Sequence, residues 1–479
     1  MLVSPDVKLY VKPVYTHIIH TAAYAGPCRP DGDTKEQEYD ERTGLEQFEL
    51  LKKKLDGFFD SSIVIMDAAY LTMKDDFYVR EEELDKLRDD MPQTDVILSI
   101  GHQKMTYDIA LKYNKPVISL GCCYATDPIA KLKEMGREAI GYIDLQHMKE
   151  KIHLLRAKKA IAQTKILSVI KDDIVTVGVI SCIRDLDVLE TVYGIKFKFL
   201  ESKELLAAVN ALTETELAQA RAITEDLVSH AESAAIDREY VLRSVKFYVA
   251  VKKYLEFYGC NAFTIPCFEI CATRILNKEK YVFCLGHSLL KEDGVPSACE
   301  SDINVLLALI VLMNLTDSAP HMGNVHPVVR DSAFALNMTP PDEDLRGMDN
   351  LVRIEHAVPT RFMKGRHQAQ MPYTLRSFTT AGWGATMGYD FDQDKGQTVT
   401  FLRFAPSAKT LMVATGEIVK SLDQSTVGCD VGFYAKVNDV EDFFQKQQQV
   451  GHHFAWVYGD VTREITELAA LWNVDVLLS

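Results

Sequence analysis

A pair of carboxylates, Glu300 and Asp302, stands where a short apolar run gives way to a long one. The preceding residues, Val295–Cys299, predict a strand, and residues 303–315 are apolar on nearly every face, which predicts a buried helix. Free backbone N–H groups and the positive dipole at a helix start favour anions and the ions that anions bind. Asp302 can serve as a helix N-cap. Glu300 precedes that position, so its carboxylate is a candidate ligand-binding group.

Histidines cluster in three later segments, each beside a predicted strand end: His321 with His326, His356 alone, and His452 with His453. Imidazole nitrogen and carboxylate oxygen together suit Mn²⁺, Fe²⁺, Co²⁺ or Zn²⁺, and an oxygen-rich set favours Mn²⁺ or Mg²⁺. No compact ligand signature such as HExxH occurs. Taken singly, each histidine is more often a hydrogen-bonded structural or surface group than a ligand.

The first 170 residues alternate apolar runs with amphipathic stretches, which is the pattern of a parallel sheet wrapped by helices. The predicted strands are Val7–Val14, Ser62–Met66, Asp95–Ile100, Pro116–Leu120 and Glu138–Ile143. No GxGxxG or GxxxxGK[ST] run follows any of them, which argues against a dinucleotide or P-loop nucleotide site. We therefore predict a doubly wound α/β domain over residues 1–170.

A long charged helix is predicted over residues 145–170, and a second α/β domain, which carries Glu300, over residues 171–328. A capping box at Thr213 and Glu216 opens one of its helices. Its predicted strands are Asp173–Ser181, Ala262–Ile265, Tyr281–Leu285 and Val295–Cys299. Residues 329–479 are rich in short β-type runs and end in helices. The predicted fold is α/β: two doubly wound parallel-sheet domains followed by a β-rich, barrel-like C-terminal domain.

Composition limits the classes of partner. The 479 residues include 53 Lys and Arg against 68 Asp and Glu, a formal net charge of -15, which argues against binding to the phosphate backbone of nucleic acid. The start resembles no secretory signal, and residues 303–315 are too few to span a bilayer. We expect a cytoplasmic protein without a membrane partner. The ten cysteines show no CxxC pairing and are interpreted mainly as small buried hydrophobes, with Cys122, Cys123 and Cys299 as alternatives for a chemical role.

Five segments, in this order, are similar to successive motifs of the L-fucose/L-arabinose isomerase superfamily. They are Cys284–His287, Leu289–Asp302, His321–Asn324, Glu355–Pro359 and His452–Asp460. The resemblance covers about residues 260–479, and the first 170 residues resemble the family mainly in architecture. In that family two α/β domains precede a β-rich domain, and a metal ion lies between the second and third domains.

The resemblance implies a set of metal ligands. Glu300 matches the family's metal-binding carboxylate, which also transfers a proton, and His453 matches its C-terminal metal-binding histidine. His356 matches the histidine that the arabinose-isomerase branch uses as a ligand. The position of the second acidic ligand is occupied by Asn324. An amide oxygen can bind a hard cation, but it carries no charge and cannot act as a base.

The resemblance implies a metal-dependent aldose–ketose isomerase that acts on a sugar through an enediol, with Glu300 as base and Mn²⁺ as the expected ion. Because Asn324 cannot move protons, a second acid or base is needed for the hydroxyl groups: Asp302, His326 or water on the metal. The alternatives are an epimerase or lyase that shares the first proton abstraction, and a non-catalytic carbohydrate-binding protein. The resemblance also implies a homo-oligomer, either a trimer or a hexamer.

Four residues are candidates for binding the sugar. Asp302 and His326 lie beside the expected ligands. Arg29 follows the first predicted strand and can point into the N-terminal domain's cleft or a neighbouring subunit's site. Trp383, which lies between two glycines, is either an aromatic platform for a sugar ring or part of a turn before a strand.

Overall fold

The computed structural model describes residues 6–20, 37–74, 76–121, 123–170, 179–272, 274–328, 345, 348–423 and 428–479. They group into two compact units, Asp6–Lys159 and Ala160–Ser479. The division of the chain at residues 170 and 328 stays a prediction. No helix among the described ranges is both long enough and apolar enough to cross a membrane.

The first unit is built on a parallel sheet with the strand order β2-β1-β4-β5-β6, in which β3 also pairs with β1. Buried aliphatic side chains from strands and helices form its core. The elements are β1 (Leu9–Ile19), α1 (Gln37–Leu55), β2 (Ile63–Ile65), β3 (Ala69–Lys74), α2 (Glu81–Asp85), β4 (Val96–Ile100), α3 (Gln103–Tyr113), β5 (Val117–Leu120), α4 (Cys123–Glu134), β6 (Ala139–Tyr142) and α5 (Leu145–Ala162). All five strands predicted for this region are present, because each is an apolar run long enough to be a buried parallel strand.

The second unit begins with another parallel sheet, in the order β11-β10-β7-β8. Its elements are β7 (Lys165–Ile170), α6 (Asp187–Tyr193), β8 (Lys196–Glu201), α7 (Ser202–Asn210), α8 (Glu214–His230), β9 (Ser233–Ala235), α9 (Arg238–Tyr258), β10 (Ala262–Thr264), α10 (Cys267–Ala272), α11 (Ile275–Glu279), α12 (Cys284–Glu292), β11 (Ser297–Ala298) and α13 (Ile303–Thr316). The predicted capping box is confirmed, because Thr213 and Glu216 bond reciprocally at the start of α8.

Two predictions for this sheet are wrong. The predicted helix does not reach residue 170, since residues 165–170 form strand β7 with a buried apolar centre. Tyr281–Leu285 is not a strand, because helix α12 begins at Cys284 and packs against α9. Periodicity alone cannot separate a short apolar run in a strand from one in a buried helix. The predicted strand Asp173–Ser181 falls largely outside the described residues, and 179–181 form a bend and turn.

The C-terminal part of this unit contains a closed antiparallel barrel of six strands, in the order β16-β19-β12-β13-β18-β17, with β16 pairing to β17. Strand β20 pairs with β17 in parallel, and β14 and β15 form a small sheet with β9. The elements are β12 (His321–Pro327), β13 (Leu351–Glu355), β14 (Thr374–Ser377), β15 (Ala385–Gly388), β16 (Thr398–Phe404), β17 (Thr410–Ser421), β18 (Gly432–Val437), α14 (Val440–Val450), β19 (His453–Tyr458), α15 (Thr462–Trp472) and β20 (Asp475–Leu478). The predicted fold class, parallel α/β sheets followed by a barrel, is confirmed.

Helix α13 packs against β16, β19 and β11, so its start lies beside the barrel. Its residues 303–314 are all buried, as its uniformly apolar sequence predicts. Inside the barrel, Phe454 and Trp456 belong to the core. Because side chains alternate along a strand, His453 lies on the opposite face of β19. The fold therefore brings the start of α13 and the outer face of β19 together.

Candidate metal centre

Glu300 lies in the tight turn between β11 and α13. Glu300 and Ser301 both have positive φ, 59° and 50°. The backbone N–H of Ser301 donates to the carbonyl of Ile265, and that of Asp302 donates to the carbonyl of Cys299. Left-handed backbone costs a non-glycine residue about 1–3 kcal/mol and clusters at functional sites. The turn leaves the Glu300 side chain 22% exposed, in an otherwise buried region.

The barrel supplies two histidines that are completely buried. His356 follows the last residue of β13, and its backbone N–H donates to the carbonyl of Val431. His453 is the first residue of β19. The ring centroids of the two imidazoles are 5.7 Å apart. Two segments that are nearly a hundred positions apart in sequence therefore present their imidazoles to one point.

These imidazoles converge on the Glu300 carboxylate. Nε2 of His356 is 3.7 Å from Oε1 of Glu300, and Nε2 of His453 is 3.8 Å from Oε2. One ligand atom from each of the three residues lies within 4.8 Å of the others. Two donors that bind one ion at about 2.1 Å are about 3.0–3.5 Å apart. The two nitrogen-to-oxygen distances in the trio Glu300, His356 and His453 are therefore slightly longer than those around a bound ion, and a small movement of the side chains would close the site.

The hydrogen bonding of the trio also fits a metal ion. Both ring nitrogens of His356 and Nε2 of His453 are buried and make no hydrogen bond within the described part of the chain. Buried polar atoms without partners are rare in folded proteins, because each costs about 1–3 kcal/mol. A divalent cation between the three side chains would bind Nε2 of His356, Nε2 of His453 and the Glu300 carboxylate. The donor set of one carboxylate and two imidazoles suits such an ion.

Asp302 contacts His453 at the ring nitrogen that does not face Glu300. Its Oδ2 is 2.9 Å from Nδ1 of His453 and accepts a 2.8 Å hydrogen bond from Arg403. Its Oδ1 caps α13 by accepting from the backbone N–H groups of Asn304 and Val305. A carboxylate on the far nitrogen of a ligand histidine fixes the ring's orientation and tautomer. Asp302 is fully buried, so the structure places it behind His453 rather than on an open surface.

Electrostatics sets the protonation states that an ion requires. Burial alone would raise the pKa of Glu300, but His356 and His453 lower it below its ordinary value. Burial lowers the pKa of His356 despite the opposing effect of Glu300. Asp302 is also buried, yet Arg403 and His453 hold its pKa well below its ordinary value. Near neutral pH the trio thus offers a charged carboxylate and a neutral His356, the forms that bind metal.

Asn324 and His326 extend the site along β12. Asn324 pairs with His453 on one side and with Glu355 on the other, and directly paired residues share a face of the sheet. His326 is two residues further on, so it lies on the same face. Its Nε2 is 3.8 Å from Oε1 of Glu355, which forms an ion pair with Arg353. The outer face of the barrel therefore presents a polar strip beside the trio.

The other two candidates for binding the sugar are not joined to the trio. Trp383 lies in the turn between β14 and β15, where its backbone N–H and carbonyl bond with Thr379. No hydrogen bond, ion pair or ring contact joins it to Glu300, His356 or His453 across the ranges described. Arg29 lies outside the described residues.

Sequence reasoning missed two residues at this site, Arg403 and Glu355. Arg403 is fully buried, and its guanidinium bonds to Asp302, the carbonyls of Val450 and His453, and Ser181. Arg403 stands between Leu402 and Phe404 in an apolar strand. A buried charge needs a partner, so this position could have indicated a buried ion pair from the sequence. Glu355 precedes His356 in the fourth motif, but only strand pairing shows that it shares a face with Asn324.

Comparison with known proteins finds similarity to curated sugar isomerases over about half of the chain. No protein-family model matches the chain. The chain is similar to a sulfoquinovose isomerase of Alkalicoccus urumqiensis, 24% identical over 249 residues, which are 50% of this chain and 49% of that protein. It is also similar to sulfoquinovose isomerases of Priestia aryabhattai and Priestia megaterium, each 25% identical over 245 residues, or 50% of this chain and 48% of the relative.

The chain spans about half the length of these curated relatives. All three relatives are sugar isomerases by name. Membership of the L-fucose/L-arabinose isomerase superfamily stays a prediction.

Proposed function

We propose that this protein is a metal-dependent aldose–ketose isomerase that converts a sugar through an enediol intermediate. The observation that carries the proposal is the convergence of Glu300, His356 and His453, with their unpaired buried nitrogens, on one point. The likeness to sulfoquinovose isomerases supports the same reaction class. Mn²⁺ is the proposed ion, because a carboxylate, two imidazoles and the amide oxygen of Asn324 form a mixed, oxygen-containing donor set.

In this proposal Glu300 moves the proton between the two reacting carbons. When bound, the ion polarises the sugar's carbonyl and hydroxyl oxygens. Glu300 removes the proton from the carbon next to the carbonyl and returns it to the adjacent carbon, on the same face of the sugar. Its lowered pKa keeps it deprotonated and ready to accept that proton. Its partial exposure gives the substrate access to the carboxylate, whereas both histidines are buried.

A second group must move the hydroxyl proton, and His326 is the best-placed side chain. Asp302 is fully buried, and both its oxygens are already bonded to Arg403, His453 and the start of α13. His326 is only partly buried and lies on the same face of β12 as Asn324. We therefore propose that Asp302 is a positioning residue and that His326 carries the hydroxyl proton, with Glu355 as its neighbour.

The names of the relatives guide the choice of substrates to test. Sulfoquinovose is a sugar that carries a sulfonate, so the panel of candidates should contain sulfoquinovose together with neutral aldoses. A shared enediol mechanism predicts that any accepted sugar incorporates deuterium at carbon from D₂O. Product chromatography then separates an isomerase from an epimerase or a lyase.

The test is deuterium uptake by wild-type protein loaded with Mn²⁺, compared with the variants Glu300→Gln and Glu417→Gln. Glu417 is an exposed carboxylate on β17 and serves as the matched control. Loss of a general base lowers rates by about 10²–10⁴-fold, so Glu300→Gln should lose uptake by that factor while Glu417→Gln keeps it. Uptake that is unchanged in Glu300→Gln, or binding of sugars without any uptake, would overturn the isomerase proposal.

A further inference from the structure

Two cysteines, Cys267 and Cys299, lie close to Glu300 at one edge of the second parallel sheet. Cys267 follows β10, and Cys299 follows β11, the neighbouring parallel strand. Because parallel strands end at the same edge of a sheet, both thiols are carried to one place. Their Sγ atoms are 2.8 Å apart, and all described cysteines are free. Cys299 is buried, and Cys267 is partly exposed.

The two thiols form a second group of ligand atoms that includes Glu300. One ligand atom from each of Cys267, Cys299 and Glu300 lies within 4.8 Å of the others. Cys271 and Cys429 also lie within electrostatic range of both Cys267 and Glu300. The surroundings of the Glu300 carboxylate are therefore rich in sulfur on one side and in imidazole on the other.

We propose that Cys267, Cys299 and Glu300 form a second metal site, specific for thiophilic divalent ions such as Zn²⁺ and Cd²⁺. Soft sulfur ligands select such ions, whereas the imidazole and carboxylate donors of the trio also accept harder ions such as Mn²⁺. Both sites use the same carboxylate. A thiophilic ion on the cysteines therefore competes with the trio for Glu300.

The site needs only a small adjustment to close. Two thiolates on one Zn²⁺, with bonds of about 2.3 Å, stand about 3.8 Å apart, so the sulfur atoms must separate by about 1 Å. Rotation about χ1 of the partly exposed Cys267 supplies that movement. Each thiol releases its proton to the buffer and donates an electron pair to the ion, so no oxidant or reductant takes part.

The experiment is a titration of the reduced full-length protein with Cd²⁺, in which thiolate-to-cadmium charge-transfer absorption is measured in the ultraviolet. Free thiols are counted beforehand, so that an oxidised pair is detected and reduced. The variants are Cys267→Ser and Cys299→Ser, and Cys260→Ala is the control. Cys260 is buried just before β10, and its Sγ contacts the carbonyl of Tyr258. Cys267→Ser tests the site even if the buried Cys299→Ser fails to fold.

Wild type and Cys260→Ala should bind Cd²⁺ with the charge-transfer band. Loss of a residue that only orients a metal ligand weakens metal binding by about 10- to 100-fold. Cys267→Ser removes a proposed ligand itself, so it should weaken Cd²⁺ binding by more than that factor. Absence of the band in the reduced wild type, or equal binding by Cys267→Ser, overturns the proposal. Mn²⁺ binding is measured on separate, Cd²⁺-free portions of the same proteins. If the charge-transfer band is absent while Mn²⁺ still binds, the thiol site alone is overturned. If the band is present while Mn²⁺ does not bind, the result counts only against the isomerase proposal.

Discussion

Asp302 connects the chemistry of the site to the stability of the fold. Its carboxylate caps α13, pairs with the buried guanidinium of Arg403 and holds His453 by its far nitrogen. The side chains of all three residues are fully buried. Removing one partner of a buried ion pair costs about 3–5 kcal/mol, because the other charge is left uncompensated. Asp302 should therefore contribute to both the stability of the fold and metal binding.

The first prediction concerns Asp302→Asn. We expect the free energy of unfolding to fall by about 3–5 kcal/mol at pH 7, measured by urea denaturation. The folded-state pKa of Asp302 is lowered, so its contribution is fully present above the unfolded value of about 3.9 and is lost as the pH falls through the folded pKa. The difference between wild type and variant should thus shrink below about pH 4.

Asp439→Asn is the matched control for this prediction. Asp439 also caps a helix, α14, by accepting from the backbone N–H groups of Glu441 and Asp442, but it is exposed. Asparagine is an equally good N-cap, so the control should change stability by less than about 0.5 kcal/mol. Equal losses in the two variants would show that the Arg403 pair contributes nothing beyond the cap.

The sequence allows the three residues of the trio to be predicted as candidate ligands, but not Arg403 and Glu355, which lie beside them. Glu300, His356 and His453 stand in segments whose order and residue types resemble known motifs, and the structure brings them together. Arg403 and Glu355 contact the site only through strand pairing and the packing of α13 on the barrel. Those contacts join distant parts of the chain, so local sequence patterns do not predict them.

Strand β18 is the element that holds His356 in place. The carbonyl of Val431, just before β18, accepts from the backbone N–H of His356. Gly432, the first residue of β18, packs so closely on β13 that a Cβ there would collide with the carbonyl oxygen and carbon of Ile354. Only glycine therefore permits the β13–β18 pairing at this point.

The second prediction is that Gly432→Ala destabilises the barrel and weakens Mn²⁺ binding together. Backbone cannot move as a flexible side chain can, so the strands must separate and His356 must shift. Thermal unfolding and Mn²⁺ titration measure the two effects. Gly141→Ala on β6 is the control, because its new Cβ would meet only the Ile129 side chain at 3.4 Å and the Cα of Gly121 at 4.0 Å. Normal Mn²⁺ affinity in Gly432→Ala would contradict this role of β18.

Helices and strands were predictable where apolar runs alternate with amphipathic stretches along the chain. The five strands predicted for the first sheet and the capping box of α8 are local signals, and they are confirmed, whereas strand β3 was not predicted. Residues 165–170 were misassigned because they follow a long helix directly, and β7 is defined by its pairing with β8 and β10. The start of α12 was misassigned because five apolar residues fit either structure.

For the whole molecule, Glu300, His356, His453 and the residues that contact them belong to one compact unit, Ala160–Ser479. Assembly is the property that the resemblance predicts beyond the single chain. The third prediction is therefore that the protein sediments as a trimer or hexamer in analytical ultracentrifugation. A monomer over the full concentration range would contradict it, without bearing on the geometry of the trio.

Mn²⁺ binding, measured as loss of the free-ion signal in electron paramagnetic resonance, tests whether Glu300, His356 and His453 share one ion. We predict one Mn²⁺ per wild-type chain, and a loss of affinity of more than about 10- to 100-fold in His356→Gln and His453→Gln. His367→Gln, which changes an exposed histidine, should bind like wild type. The shared metal site would be contradicted if wild-type protein left the free-ion signal unchanged. It would also be contradicted if the variants His356→Gln and His453→Gln bound Mn²⁺ as tightly as wild type.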